Sequence, residues 1–129
     1  MADITLKMRI LNGTFGVCRL DSIELIPEWI DNSKFYSITK TEDELSIVCS
    51  DKNIPNEIKH EKDWKIIKIE GPLDFSLIGI LSSISTTLAN QGISIFAIST
   101  YDTDYILVKN KDIEIALKVL SKEGHRIEV

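Results

Sequence analysis

Residues Ile4-Thr5-Leu6-Lys7-Met8-Arg9-Ile10-Leu11 alternate apolar and polar side chains, the period-two pattern of a strand buried on one face. Asn12-Gly13 breaks that pattern, and Phe15 to Leu20 follows as a second short strand or as a lead into the next turn. The stretch Ile23 to Ile30 contains Pro27 and Trp29 and is too interrupted for a long helix, so it predicts one or two helical turns with Trp29 as a core plug. Phe35 to Thr41 and Leu45 to Ser50 read as a hairpin, and Ile54-Pro55-Asn56-Glu57-Ile58 as a short helix with proline in its first turn. Trp64 to Glu70 is a further strand, ended by Gly71-Pro72. From Ser76 to Gln91 the residues Leu77, Ile80, Leu81, Ile84 and Leu88 recur at helical spacing, with Ser82, Ser83, Ser85, Thr86 and Thr87 mostly opposite. Asp74 stands where a helix N-cap belongs and Gly92 where a helix stops. A second hairpin runs from Gly92 to Val108. Asp112 then caps a helix whose stripe is Ile113, Ala116, Leu117 and Leu120, Gly124 ends it, and His125 to Val129 supplies a last strand.

The two hairpins repeat each other. Sliding the first by sixty positions sets Ile38 on Ile98, Thr39 on Ser99, Glu42 on Asp102, Glu44 on Asp104, Ile47 on Leu107 and Val48 on Val108. Self-similarity of this kind predicts a tandem of two related units, residues 1–63 as a degenerate N-terminal unit and 64–129 as a complete one. From Lys65 the order is β-α-β-β-α-β, the ferredoxin-like arrangement, with both helices on one face of an antiparallel sheet. The predicted fold class is therefore α+β.

Composition narrows the functions. The 129 residues are 43% hydrophobic, enough for a core, and the formal charge of −5 with lysines scattered among acids supplies no basic face for a nucleic acid. The apolar runs fall short of the ~20 residues that span a bilayer, and no basic-then-apolar segment opens the chain. These features predict a soluble cytoplasmic protein without membrane or nucleic-acid partners. Cys18 and Cys49 have no motif spacing and read as reduced, partly buried thiols; His60 and His125 lack flanking ligands, read as surface residues and predict no metal site. The hydroxyl run Ser82 to Thr87 has no histidine beside it, so no nucleophile, acid and base assemble and no enzyme or cofactor is predicted.

The β-α-β-β-α-β order, Gly92-Ile93-Ser94-Ile95 after the first helix and the hairpin Ile98-Ser99-Thr100-Tyr101-Asp102-Thr103-Asp104-Tyr105-Ile106-Leu107-Val108 resemble an ACT domain. Both halves together resemble the small bacterial tandem-ACT proteins related to the cytosolic arginine sensors of animals. That resemblance implies binding of a small effector, usually an amino acid, without catalysis, and pairing of ACT units, most simply in a homodimer. It implies a ligand held between two units by a loop, here Asp74, Phe75, Ser76, Leu77, Ile78 and Gly79, by the strand start Ser94-Ile95, and by Thr100, Tyr101 and Asp104 of the hairpin. Asp104 keeps a family carboxylate that reads the basic end of the ligand. Another acidic family position falls on Leu77, which favours a neutral or modestly polar side chain over arginine.

The residues support the same site independently. Free amides at a helix start, predicted at Ser76 to Gly79, hold a carboxylate, and Asp102 or Asp104 holds an ammonium group. The competing expectation is a structural or protein-interaction module whose pocket is empty, with Asp74 a plain cap, Asp102 and Asp104 solvated turn residues, and Tyr101 and Tyr105 half-buried sheet aromatics. Any regulated target would be a separate chain.

Overall fold

A computed structural model describes residues 5–70 and 79–128. Asp74, Phe75, Ser76, Leu77 and Ile78, with the capping expected of Asp74 and the turn expected at Gly71-Pro72, lie outside the described residues. The elements are β1 (Lys7–Ile10), β2 (Phe15–Leu20), a 3-10 helix (Glu28–Asn32), β3 (Ser37–Lys40), β4 (Leu45–Ser50), a 3-10 turn (Asp51–Asn53), β5 (Lys59–Ile69), α1 (Ile80–Ala89), β6 (Ile95–Ser99), β7 (Asp104–Lys109), a 3-10 turn (Asn110–Asp112), α2 (Ile113–Lys122) and β8 (Arg126–Glu128). The α+β class is as predicted. The chain divides into two compact units, Gly13–Trp64 and Met1–Asn12 with Lys65–Val129, whereas the predicted division runs 1–63 and 64–129.

In the unit Gly13–Trp64 the strand order is β3-β4-β2-β5, all antiparallel. This is the split β-α-β-β-α-β arrangement with both helices reduced to 3-10 turns. Cys18, Ile30, Leu45, Ile47, Cys49 and Ile54 form its core, and Trp29 packs against that core only partly buried. Ile30, not Trp29, is the plug. The helix predicted over Ile54 to Ile58 is instead a turn one step earlier at Asp51–Asn53. Its buried Asp51 carboxylate accepts from Thr14 Oγ1 (3.0 Å) and from the Asp63 amide (3.3 Å), bonds that satisfy a buried charge and hold the turn in place. Cys18 lies opposite Ile47, and Cys49 two residues further along β4. Both thiols are fully buried rather than partly so, and the hydrogen bond that Cys18 donates to Cys49, together with burial, pushes the Cys18 thiol far above its ordinary range, leaving it protonated.

In the other unit the order is β6-β7-β5-β1-β8. β1 pairs antiparallel with β5, Met8 opposite Ile69 and Ile10 opposite Ile67, and β8 runs parallel along the outer side of β1. The place beside β5 that the β-α-β-β-α-β order reserves for the last strand is therefore taken by the first. Alternate residues Met8, Ile67, Ile69, Ile106 and Val108 meet Ile80, Ile84, Leu88, Ala116 and Leu120 of the two helices in one core, so the helices share one sheet face. Leu81, Ile113 and Leu117 of the predicted stripes pack at its edge. Gly92 (φ +71°) and Gly124 (φ +99°) end the helices as predicted. After each, the next residue's amide returns to the helix, Ile93 to the Leu88 carbonyl and His125 to the Leu120 carbonyl, the Schellman closure that favours glycine. Asp112 occupies the N-cap position of α2 but makes no side-chain capping bond. His125, expected at the surface, is half-buried: its Nδ1 accepts from the Leu6 amide at 3.1 Å, and burial lowers its pKa.

Candidate functional site

The strand pairings set the register of the repeat. Lys40 pairs with Leu45 across the first turn and Ser99 with Asp104 across the second, so equivalent residues are 59 apart and not the sixty that letter matching suggests. The turn chemistry follows this register. Thr41 N–H and Oγ1 both donate to the Glu44 carbonyl, and Thr100 N–H (2.8 Å) and Oγ1 (3.0 Å) both donate to the Thr103 carbonyl. The 3-10 turns Asp51–Asn53 and Asn110–Asp112 obey the same spacing. On this register Asp104 has no acidic counterpart, because its equivalent is Leu45, which is 1% exposed in the core. The expected match of Glu44 with Asp104 is therefore corrected, and the half-buried carboxylate at the start of β7 belongs to the second hairpin alone.

Three of the predicted site residues, Thr100, Tyr101 and Asp104, come together at this turn. Tyr101 is 81% exposed, not the half-buried sheet aromatic that its pattern predicts, whereas Tyr105 is half-buried as expected. Thr103, absent from the predicted set, points inward: it is buried, and its Oγ1 donates to the carbonyl of Ile69, the last residue of β5. The turn is thus tied to the point where β5 ends and the loop toward α1 begins. No sequence signal separates Thr103 from its polar neighbours, since the strand register alone turns it inward.

Gly79, also predicted, is the N-cap of α1 with φ +81°, a left-handed conformation outside any helix. The described helix offers its first-turn amides from Ile80 onward, and the amides predicted at Ser76 to Ile78 lie outside the described residues. Ile95 opens β6 at its other end, with Ser94 just before it, and Ile95 is four strand steps or roughly 13 Å from Ser99 at about 3.3 Å per residue. Within this unit they do not join Thr100 and Asp104. Beside the turn, Glu70 receives Arg9 Nε at 3.2 Å and Lys68 Nζ at 3.9 Å. Burial, and secondarily the Glu70 charge, raise the Tyr105 pKa. Among the described residues no group of His, Cys, Asp or Glu is placed to hold a metal, and no helix is long and apolar enough to cross a membrane.

Residues 59–122 match the family model of the ACT domain, and residues 13–57 match a second model, described as an N-terminal domain. Over 97% of this chain the fold follows the crystal structure of an Agobacterium tumefaciens protein, with 41% identity, a TM-score of 0.91 and 93% of that chain covered. The chain is an ACT-domain protein.

The ACT match begins at β5, ends with α2 and contains the locked hairpin. The bovine cytosolic arginine sensor for mTORC1 subunit 1 is 26% identical over 101 residues, 70% of this chain and 31% of that protein. This ACT-domain protein therefore spans about a third of the relative's length. The ligand-free regulatory subunit of aspartate kinase from Thermus thermophilus shares the fold at 10% identity, with a TM-score of 0.61 over 90% of this chain and 96% of that one.

Proposed function

We propose that this ACT-domain protein is a cytoplasmic, non-catalytic regulatory module whose effector is a free amino acid. The observation that carries the reading is Asp104, a half-exposed carboxylate present in the second hairpin only, beside a turn anchored to the end of β5. In this reading the effector's carboxylate meets the loop Asp74 to Gly79 and the first-turn amides of α1, while its ammonium or polar end meets Asp104. Thr100 and exposed Tyr101 flank it. Because Ser94-Ile95 lies at the far end of β6, that strand start closes the site from a second copy in a homodimer. Leu77, in place of a second acid, selects a neutral or modestly polar side chain. The name of the arginine sensor supports the effector class, and the regulated target is a separate protein.

Thermal-shift measurement over the proteinogenic amino acids tests the reading, since a ligand at a hundredfold its Kd adds about 2.7 kcal/mol of stability. A charge-assisted hydrogen bond contributes roughly 1.5–3 kcal/mol, so Asp104→Ala weakens binding about tenfold or more with an unchanged melting temperature in the absence of effector. Undiminished binding by Asp104→Ala removes the site assignment. A parent protein that no amino acid stabilises returns the module to the interaction-only alternative.

A further inference from the structure

Residues 21–32, between β2 and β3, carry four of the twenty acidic residues of the chain and none of its fifteen basic ones. The remaining residues hold sixteen acids against those fifteen bases, so nearly the whole net charge of −5 resides in this segment. It also holds three exposed large aliphatics within four positions: Ile23 at 87%, Leu25 at 87% and Ile26 at 57%. The other large apolar side chains exposed among the described residues, Tyr36, Tyr101 and Ile115, are scattered along the sequence. Isolated exposed apolar residues are ordinary, whereas a contiguous group rimmed by charge marks a contact surface.

The segment is held rather than loose. The Glu24 amide closes a turn onto the Asp21 carbonyl (3.0 Å), Lys40 Nζ donates to the Ser22 carbonyl (2.6 Å), and Ile30 plugs the core at 1% exposure. Ile23, Leu25 and Ile26 are therefore presented to solvent by a fixed backbone. We infer that residues 21–32 form a docking surface for a basic amphipathic segment of a partner protein. Apolar side chains of the partner seat on Ile23, Leu25 and Ile26, and its Lys or Arg residues face Asp21, Glu24, Glu28 and Asp31. Charge complementarity selects this occupant over a second copy of the chain, because outside the segment the chain is close to neutral and has no excess of positive charge to offer. The surface belongs to the unit Gly13–Trp64, and the hairpin of the proposed effector site to the other unit.

The test uses the full chain and an amphipathic Leu/Lys peptide, read by fluorescence anisotropy at low and moderate salt, with a Leu/Glu peptide of the same pattern as control. The Leu/Lys peptide binds more weakly as salt rises, and the Leu/Glu peptide does not bind. Ile23→Ser with Leu25→Ser, and separately Glu24→Lys with Glu28→Lys, each weaken binding about tenfold, the size of a few lost contacts or charge pairs. The charge-matched pair Glu57→Lys with Glu114→Lys, on exposed positions elsewhere, binds within about twofold of the parent, as remote surface charges add little. The proposal is overturned if the parent ignores the Leu/Lys peptide or if the control pair loses as much as the segment variants. It is equally overturned if sedimentation shows a parent dimer that Ile23→Ser with Leu25→Ser dissolves, which would make the patch a self-interface.

Discussion

Thr103 shows how one hydroxyl organises the hairpin. Its neighbours Tyr101 and Asp102 face solvent, yet Thr103 is buried and donates to the Ile69 carbonyl. Thr103→Val keeps the shape and removes the buried hydrogen bond to the Ile69 carbonyl, at a cost of about 0.5–1.5 kcal/mol. The variant should melt several degrees lower and bind effector more weakly, whereas Thr103→Ser should restore both. A Thr103→Val protein as stable as the parent by denaturant titration would show that the bond contributes nothing. The residue was not legible in sequence, because four polar letters in a turn do not reveal which one points inward. Asp104 was legible as a carboxylate, but its uniqueness was not. Letter matching at sixty paired it with Glu44, and only the strand pairing aligns it with buried Leu45.

Among elements, what the sequence encodes locally was readable. The alternation Ile4 to Leu11 holds the strand Lys7–Ile10, and Gly92 and Gly124 end helices because positive φ favours glycine there. Elements whose form depends on distant partners were not readable. Asp51 becomes a buried turn residue because Thr14, just before β2, and the Asp63 amide of β5 reach it, and Asp112, at the end of a 3-10 turn that runs into α2, makes no side-chain cap. The hold between the start of β1 and the residue preceding β8 is similarly non-local, through the Leu6 amide and His125 Nδ1. That acceptor exists only while the ring is neutral. Burial depresses the His125 pKa below its unfolded value near 6.5, so the unfolded chain binds the proton first. The stability associated with neutral His125 is therefore complete above about pH 6.5 and declines as pH falls from there toward the depressed folded value. Comparing urea midpoints at about pH 7.5 and about pH 5.5 should show a larger loss for the parent than for His125→Gln, in which that titration is absent. Equal losses would remove the histidine from the account.

At the scale of the whole molecule, the sequence order predicts a C-terminal unit complete from Lys65 onward, and the structure completes it with a strand from the other end of the chain. Period-two alternation establishes that Lys7 to Ile10 is a strand with one buried face, but nothing in it names the neighbour. The buried face supplies Met8, with no exposed surface, to the same core as Ile69, Ile84 and Leu120. β1 also separates β5 from β8, so losing it strips a ladder from each of them. Met8→Ala should cost about 2–5 kcal/mol as a core cavity. Deleting residues 1–12 removes that side chain and both ladders together, more than a unit of marginal stability withstands. The shortened protein should lose its cooperative melting transition for the ACT unit, and with it any stabilisation by an effector. A chain starting at residue 13 that melts at the parent's temperature would mean that β8 can move in beside β5 and restore the order the sequence predicts.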